Sequence, residues 1–346
     1  MPIRILLLRP EEDSYSALDQ SLGARLAGTC GRFSDVELEE ETFPSRDLAA
    51  METCLRTRRG KLAGVVGATS VPQSTLLGEM AEDMKILCFV ANNNLSVWQG
   101  RRHVFHIGLP TVQTSEAVAE LLAHGGFARV FLLHDDTEFQ RRVAETARTA
   151  VERRKIRVGC GSGADAAWPE KAVSLNPDLV YLIYSDEKKA SLLARTCRSE
   201  LPKALFLFGR SLLRETFIEG LGAAAEGALF VDLFRRGKSA EAQAGLVTAL
   251  FSEGVKIATA NHGFGWDAMT LCALALFRAG GNAAAAVSYL ERGETIDGAT
   301  GSFRFGRENH NGREGFGPTR ISRWYRGRLE EAYDAQGYRA DPALCS

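Results

Sequence analysis

The sequence contains no apolar run long enough to cross a bilayer. Its longest runs, such as Leu271–Phe277, fall far short of the roughly 20 residues that a transmembrane helix needs. It also lacks a signal peptide, because only Met-Pro precedes the apolar segment Ile3–Leu8 and an acidic stretch follows it. We therefore expect no direct membrane insertion, and either a cytoplasmic location or a periplasmic one after removal of a leader.

An excess of charge of one sign is also missing. Lys and Arg number 42 against 43 Asp and Glu, and the net charge is −1. This balance gives no support for a nucleic-acid partner or an anionic membrane surface. The seven cysteines are scattered, and none stands in a CxxC motif. The sequence therefore indicates neither a zinc site nor a disulfide framework, and we predict no metal and no cofactor.

Motifs for catalysis are absent as well. Gly159–Gly163 (GCGSG) lacks the G-x-G-x-x-G spacing of a phosphate loop, and we interpret it as a flexible connection. His134, Asp135 and Asp136 stand together at a predicted strand end, where solvated charge is a simpler interpretation than a metal or acid–base cluster. Because no nucleophile–base pair is found, we predict that the protein is not an enzyme.

The chain does contain a regular alternation of short apolar runs and helix-length segments, which predicts α/β layers. At 346 residues it is long enough for two domains. The alternation starts again after Pro110–Thr114, which indicates two similar units in tandem, and the segment between Gly159 and Leu179 is predicted to be a variable loop. The predicted strands are Ile3–Leu8, Val36–Phe43, Leu62–Val66, Ile86–Val90, Val104–Leu109, Arg129–His134, Ile156–Gly159, Leu179–Tyr184, Ala204–Phe208, Ala228–Leu233, Ser302–Phe305 and Arg320–Trp324. The predicted helices are Ser16–Leu26, Asp47–Arg58, Thr75–Asp83, Ser115–His124, Glu138–Arg153, Glu187–Ser199, Leu212–Glu219, Ser239–Ser252, Gly265–Ala279 and Ala283–Arg292.

The stretch Leu62–Asn94 is the most informative of these repeats. Two apolar runs with β-branched residues flank a helix, as in a βαβ unit whose parallel sheet is covered on both faces. Both strands would then end at the same edge, and open α/β sheets bind ligands at that carboxyl edge. Thr69, Ser70 and Asn92–Asn94 would line it with hydroxyl and amide groups, which suit a small polar molecule.

The ordered set of segments resembles the type I periplasmic-binding-protein fold, specifically the receptors for branched-chain amino acids and amides. The segment VVGATSVPQS resembles the family's strand, Gly and Ser/Thr turn. VFHIGLPTVQTSEAVAELLAHGGF resembles its F-R-x-x-P crossover, and IDGATGSFRF resembles its FDG-x-x-G-x-x-x-F segment. The order of all the segments carries the resemblance, which covers nearly the whole chain.

This resemblance implies two doubly wound, Rossmann-like lobes joined by three crossovers. We place these crossovers near Pro110–Thr114, Leu233–Lys238 and Gly306–Arg313. The first lobe would comprise residues 1–112 and 236–306, and the second residues 113–235 and 307–346. Family members hold the ligand in the cleft between the lobes, which close on it by a hinge motion.

The resemblance also implies ligand-binding residues in the first lobe. Ser70 matches a hydroxyl that binds the ligand's carboxylate or amide, although Ser is also favoured as a helix N-cap. Asn92 and Asn94 match the second loop of this lobe, with a turn-forming cluster as the alternative. Tyr15 matches an aromatic that covers the ligand, or else is exposed in a loop. The first-lobe candidates are Tyr15, Thr69, Ser70, Asn92, Asn93 and Asn94.

Three positions in the second lobe match in the same way. Phe139 stands where the family commonly has Tyr, and would form an apolar wall. Ser185 follows a predicted strand at the matching cleft position. Arg210 stands where amino-acid receptors carry the acid that pairs with the ligand ammonium, so the sign is reversed unless Arg210 merely faces solvent. A cation can bind a carboxylate, so we expect a carboxylate, amide or urea in preference to a standard α-amino acid.

The resemblance implies a solute-binding protein that captures a small polar organic ligand and delivers it to a membrane permease of the ABC type. A cytosolic ligand sensor of the same fold, acting through a partner protein, is the alternative. Two features favour the sensor: the missing leader, and the segment Glu308–Asn311 (ENHN), which looks like a turn of the amide-responsive regulators.

Overall fold

The computed structural model of the chain describes residues 2–11, 15–30, 32–44, 47–67, 70–92, 94–234, 241–313 and 319–333. The chain forms two compact units. The first comprises Met1–Pro110 and Ala240–Gly315, and the second Thr111–Ser239 and Phe316–Ser346. The chain therefore passes from one unit to the other three times.

A five-stranded parallel sheet forms the centre of the first unit, in the order β2-β1-β3-β4-β5. Its strands are β1 (Ile3–Pro10), β2 (Val36–Phe43), β3 (Gly64–Gly67), β4 (Leu87–Val90) and β5 (Val104–His106). Its helices are α1 (Tyr15–Thr29), α2 (Leu48–Thr57), α3 (Val71–Met84), α9 (Glu241–Ser252), α10 (Ala260–Arg278) and α11 (Ala283–Leu290). The hairpin β11 (Thr295–Gly298) and β12 (Gly301–Arg304) completes the described part of this unit.

The central strands of this sheet are covered on both faces. Leu6 and Leu8 of β1 pack with Met51 of α2 and Leu77 of α3 in one apolar cluster. Against the other face lie α1 and α10, which pack on each other and on β1 and β3. Because neither face is exposed to water, the middle of β1, Ile5–Leu8, is a continuous apolar run and does not alternate.

Two glycines allow α1 and α10 to pack in close contact. A Cβ atom at Gly23 would lie 1.9 Å from the carbonyl oxygen of His262, and one at Gly265 would lie 1.8 Å from that of Gln20. No side chain fits at such distances without separating the two helices.

The second unit has a seven-stranded sheet in the order β14-β13-β10-β9-β8-β6-β7. Its parallel strands are β6 (Arg129–His134), β7 (Arg157–Ser162), β8 (Leu179–Ile183), β9 (Leu205–Phe208) and β10 (Leu229–Asp232). The strands β13 (Arg320–Tyr325) and β14 (Arg328–Tyr333) extend it in antiparallel fashion. Its helices are α4 (Thr111–His124), α5 (Glu138–Arg153), α6 (Trp168–Leu175), α7 (Glu187–Glu200) and α8 (Glu215–Leu221).

The predicted loop between Gly159 and Leu179 is wrong. Gly159 and Gly161 lie inside β7, and α6 follows it. A Cβ atom at Gly159 would lie 2.7 Å from the ring of Phe131, and one at Gly161 would lie 3.0 Å from Cβ of Trp168. The glycines are therefore required because aromatic side chains cover the strand.

The segment after β12 lies with the first unit, although the predicted boundary assigns residues from 307 onward to the second lobe. The backbone N–H of His106 donates to the carbonyl of His310 at 2.8 Å, and that of Gly312 donates to the carbonyl of His106 at 3.1 Å. A parallel bridge joins His106 and Asn311. These backbone bonds extend the sheet at β5. The boundary inference missed them because the segment lacks the apolar pattern of a strand.

Within the described residues, no single helix is long and apolar enough to cross a membrane. Together α10 and α11 meet the length and composition criteria, but this pair is bent by 110°.

The close packing of α1 and α10 predicts that Gly265→Ala lowers the free energy of unfolding by at least about 1–3 kcal/mol, because the helices must separate. Chemical denaturation measures this change. The matched control is Gly245→Ala in α9, where the nearest atom to an added Cβ is a ring carbon of Trp266 at 3.5 Å. Because this is an ordinary contact and Ala favours helix, Gly245→Ala should not destabilise the protein. Equal losses in the two variants would contradict the packing argument.

Candidate functional site

The strands β3 and β4 end at the same edge of the first sheet, as predicted. They are parallel neighbours, with Val65 opposite Cys88 and Val66 opposite Phe89. The last residue of β3, Gly67, has a φ of +134°. A Cβ atom there would lie 2.3 Å from the carbonyl oxygen of Leu8, so the turn after β3 requires glycine.

Ser70 is the N-cap of α3. Its Oγ accepts the backbone N–H of Gln73 at 3.4 Å, and Oε1 of Gln73 accepts the backbone N–H of Ser70 at 3.2 Å, which forms a capping box. Ser70 therefore has the N-cap role that the sequence analysis gave as its alternative. It uses only the acceptor side of the exposed hydroxyl, so the O–H hydrogen remains available to a ligand acceptor.

Asn92 and Asn94 form consecutive turns after β4. Oδ1 of Asn92 accepts the N–H of Asn94 at 2.8 Å, and Oδ1 of Asn94 accepts the N–H of Ser96 at 2.9 Å. The turn-forming role is therefore also present. Asn92 is only 9% exposed, and no described residue accepts a hydrogen bond from its buried Nδ2. Its Nδ2 can thus donate to a ligand.

Asn92 is held by His106, which was not among the candidate site residues, and His106 in turn contacts Asn311. Nε2 of the fully buried His106 donates to the carbonyl of Asn92 at 2.8 Å, and Nδ1 lies 3.3 Å from the side-chain amide of Asn311. Burial lowers the pKa of His106, and its hydrogen bonds oppose this only in part. The neutral imidazole is therefore favoured. In the sequence, His106 follows Phe105 in the segment that resembles the F-R-x-x-P crossover, with one residue more before Pro110, and this was the available signal.

The remaining first-unit candidates contribute less. Tyr15 is the first residue of α1 and is 58% exposed, so it lies on a helix and not in a loop. Thr69 and Asn93 lie outside the described residues, and their assignment stays a prediction.

Ser185 occupies the carboxyl edge of the second sheet, where β8 lies between β6 and β9. Its Oγ accepts the side-chain N–H of Gln140, which is buried in the first turn of α5. Its backbone N–H points to Oδ2 of Asp135 at 3.4 Å, while Oδ1 of Asp135 accepts the N–H of Thr137 at 3.0 Å. As with Ser70, the hydroxyl acceptor is engaged by the protein and the O–H hydrogen remains.

The neighbours of Ser185 have structural roles. The hydroxyl of Tyr184 donates to the carbonyl of His134 at 2.9 Å, and Asp186 caps α7 by accepting the N–H of Lys189 at 3.0 Å. Phe139 is 50% exposed on the first turn of α5. Within the described ranges, no group of three or more His, Cys, Asp or Glu side chains could hold a metal ion.

Arg210 begins a short 3-10 helix directly after β9, and its guanidinium approaches Tyr181 in the apolar core. Desolvation by burial lowers the pKa of Arg210 to about 10, and the same burial raises that of Tyr181 to about 12. Arg210 is half-buried, and its role in ligand binding stays a prediction. A positive charge is held in a poorly solvated position near the carboxyl edge, where a nearby anion would stabilise it.

The comparison with protein families gives the identity of the fold. The family model described as periplasmic binding protein matches residues 41–324, which is most of the chain. The chain belongs to this family. Among curated proteins, no significant match was found.

Solved structures of periplasmic binding proteins align with nearly all of this chain, over nearly all of their own length. The leucine-binding protein LivK of Thermotoga maritima is 19% identical with a TM-score of 0.76, and the match covers 96% of this chain and 98% of LivK. A solute-binding protein of an ABC transporter from R. palustris, solved with benzoate, is 15% identical with a TM-score of 0.74, covering 100% and 99%. The substrate-binding protein LivJ of Streptococcus pneumoniae, solved with isoleucine, is 16% identical with a TM-score of 0.74, covering 96% and 99%.

These likenesses confirm the predicted fold class, a type I periplasmic binding protein with two doubly wound α/β lobes. At such identities they establish the fold alone. The three structures are binding proteins and not regulators, so they give no support to the sensor alternative.

The buried, neutral His106 predicts how stability changes with pH. Its pKa is lowered in the folded protein, so below the unfolded value of about 6.5 the unfolded state takes up a proton that the folded state does not. The free energy of unfolding should therefore fall as the pH drops below about 6.5, by up to about 1.4 kcal/mol per pH unit from this group.

The measurement is urea denaturation of wild type, His106→Gln and the control His124→Gln at several pH values from 7.5 to 5.5. His124 is exposed on α4, so its removal controls for the loss of an imidazole. The wild-type protein and the control should lose stability more steeply than His106→Gln. Parallel curves for all three would show that His106 does not contribute to the pH dependence.

Proposed function

We propose that the chain is a solute-binding protein for a small organic carboxylate or amide, and that each of its two compact units is a ligand-binding lobe. The observation that carries this proposal is the hydrogen-bonding state of three candidate residues. Ser70, Asn92 and Ser185 each engage their side-chain acceptor with a protein N–H, and each keeps a donor. These donors favour a ligand with acceptor groups, such as carboxylate and carbonyl oxygens.

The charge of the second unit narrows the ligand class. Arg210 is a desolvated cation near the carboxyl edge, which favours an anionic group over an ammonium group nearby. Leucine, isoleucine and benzoate, named for the related structures, all carry a carboxylate, and benzoate has no ammonium group. We propose that the ligand resembles benzoate in this respect, and that carboxylates, amides and ureas bind better than α-amino acids.

The related structures support a proposal for the partner and the location. The R. palustris and S. pneumoniae proteins are solute-binding components of transporters. We propose that this chain acts in the periplasm, and that it presents its ligand to an ABC permease. Its ligand is bound and released without chemical change.

A thermal-shift screen tests the ligand class with matched pairs. L-leucine is compared with 4-methylpentanoate, L-phenylalanine with 3-phenylpropanoate, and benzoate with benzamide and aniline. We expect the compounds without an ammonium group to raise the melting temperature more than their amino-acid partners, and aniline to have no effect. Larger shifts with the amino acids would contradict the acceptor-only ligand and would indicate that Asp135 binds an ammonium group.

Substitutions at the donors test the residues. Hydrogen bonds to charged groups contribute about 1.5–3 kcal/mol, so Asn92→Ala or Ser185→Ala should weaken binding of the best carboxylate about 10- to 150-fold, measured by isothermal titration calorimetry. In the double variant Ser70→Ala with Arg210→Ala, we expect the thermal shift to vanish.

Ser70→Ala also removes a helix cap, which costs about 1 kcal/mol of stability. The matched control is Asn282→Ala, which removes the N-cap of α11. Asn282 lies at the opposite edge of the first sheet, because the preceding Gly281 is next to Ile3 at the start of β1. This variant should lose stability but keep its affinity. An unchanged thermal shift in the double variant would refute the site assignment.

A further inference from the structure

We propose that His106 and Asn311 are positioning residues for the side-chain amide of Asn92, and that they link this ligand-binding donor to two of the segments that connect the units. The inference rests on the proposed function, because it takes Asn92 as a donor to the ligand. It adds which residues hold that donor in place, and which segments of the chain would respond when a ligand binds to it.

Asn92 is restrained on three sides, and its Nδ2 is the donor that we assign to the ligand. Its Oδ1 is engaged by Asn94 at 2.8 Å, and its carbonyl by His106 at 2.8 Å. The backbone of Gly108 lies against the third side, since a Cβ atom at Gly108 would be 2.2 Å from the carbonyl oxygen of Asn92. A buried amide without an acceptor is unfavourable for the protein alone. In this protein the amide of Asn92 is a preorganised donor for the ligand.

His106 is itself fixed by the returning segment. Its carbonyl and its N–H both pair with the backbone of residues 310–312. Because the Asn92 carbonyl is only an acceptor, Nε2 of His106 must carry the hydrogen, which leaves Nδ1 of the neutral ring as an acceptor. The two ends of an amide exchange by rotation, so the neutral ring selects the orientation of Asn311 with its NH2 group toward Nδ1. The Asn92 carbonyl thus sets the tautomer of His106, and Asn311 supports that tautomer by donating to Nδ1.

A buried arginine, Arg313, connects the segment after His106 and the returning segment to the interior of the first unit by hydrogen bonds. Nε of Arg313 donates to the carbonyl of Ile107 at 2.8 Å, and Nη1 donates to the carbonyl of Thr300 at 2.9 Å. Asp267 of α10 accepts the backbone N–H of Thr300 at 2.9 Å. Residues 107–110 and 311–313 are the last described residues of the first unit on either side of the crossovers that follow them. A displacement of Asn92 by a ligand would therefore reach both connections through His106.

The positioning role can be tested without a ligand by NMR of the full chain with 15N-labelled histidine and asparagine. We expect His106 as the Nε2–H tautomer. His106→Leu should shift the side-chain amide resonances of Asn92, whereas His106→Gln, which keeps a donor for the Asn92 carbonyl, should largely restore them. An Nδ1–H tautomer, or unshifted Asn92 resonances in His106→Leu, would overturn the inference.

A matched control separates positioning from general damage to the unit. His103 is another buried histidine of the first unit, and its Nδ1 lies 3.0 Å from Oε2 of Glu82. His103→Leu should leave the Asn92 resonances in place. If His103→Leu shifts them as much as His106→Leu does, the effect is structural and the inference fails.

A double-mutant cycle tests the link to binding, with whichever of benzoate and L-leucine binds wild type more tightly as the probe. We expect His106→Leu to weaken binding about tenfold in wild type, and less than about twofold in an Asn92→Ala background, because the donor that it positions is gone. Equal weakening in both backgrounds would overturn the inference. If wild type binds neither probe and no member of the screen, the proposed function fails, while the NMR result still decides the positioning role.

Discussion

The parallel pairing of neighbouring strands is the constraint on which the rest of this structure depends. Because β3 and β4 run in the same direction, the turns that follow them open at one edge, and the same holds for β6, β8 and β9 in the second unit. Each turn must begin a helix or a further turn within a few residues. The residues that can do this are Ser, Asn, Asp and Gly, so the edge becomes polar for a reason of folding before any ligand is considered.

Because these residues serve as caps and turns, their side chains at the two sheet edges have a defined arrangement of hydrogen-bond donors and acceptors. A cap or an Asx turn uses a side-chain oxygen as an acceptor for a backbone N–H. Ser70 and Asn92 are engaged in this way, and Ser185 is engaged similarly by Gln140. Each side chain keeps a donor. The structural role and the proposed ligand-binding role of these residues are therefore compatible, because the structural bond leaves that donor for a ligand.

Much of the fold could be predicted from the sequence, because buried parallel strands are continuous apolar runs and their order along the chain is regular. The strands Val36–Phe43 and Arg129–His134 and the helix Glu138–Arg153 have the predicted bounds. The predicted strand at β7 is shorter than the observed one because glycine is a weak strand former. Glycine is required in β7 because the side chains of Phe131 and Trp168 pack over it. Such a requirement exists only in three dimensions.

Part of the candidate site was also predictable from the regular order of strands along the chain. Ser70 and Ser185 follow strands directly, so their place at an edge follows from sequence order. The partner of His106 could not be found in this way, because Asn311 is 205 residues away in the chain and its segment lacks a strand pattern. For Arg210 the sequence indicated the sign of the charge, but its approach to Tyr181 depends on how the chain turns after β9.

The half-buried position of Arg210 strengthens the argument about ligand charge. A guanidinium in water interacts weakly with a distant anion, because solvent screens both charges. Removal of that solvent raises the free energy of the cation, as the lowered pKa of Arg210 indicates, and makes any nearby negative charge more favourable. An ammonium group brought to the same edge would meet the opposite effect. We therefore propose that Arg210 of the second unit favours anionic groups through desolvation, and that the donors of the first unit favour acceptor groups through hydrogen bonds.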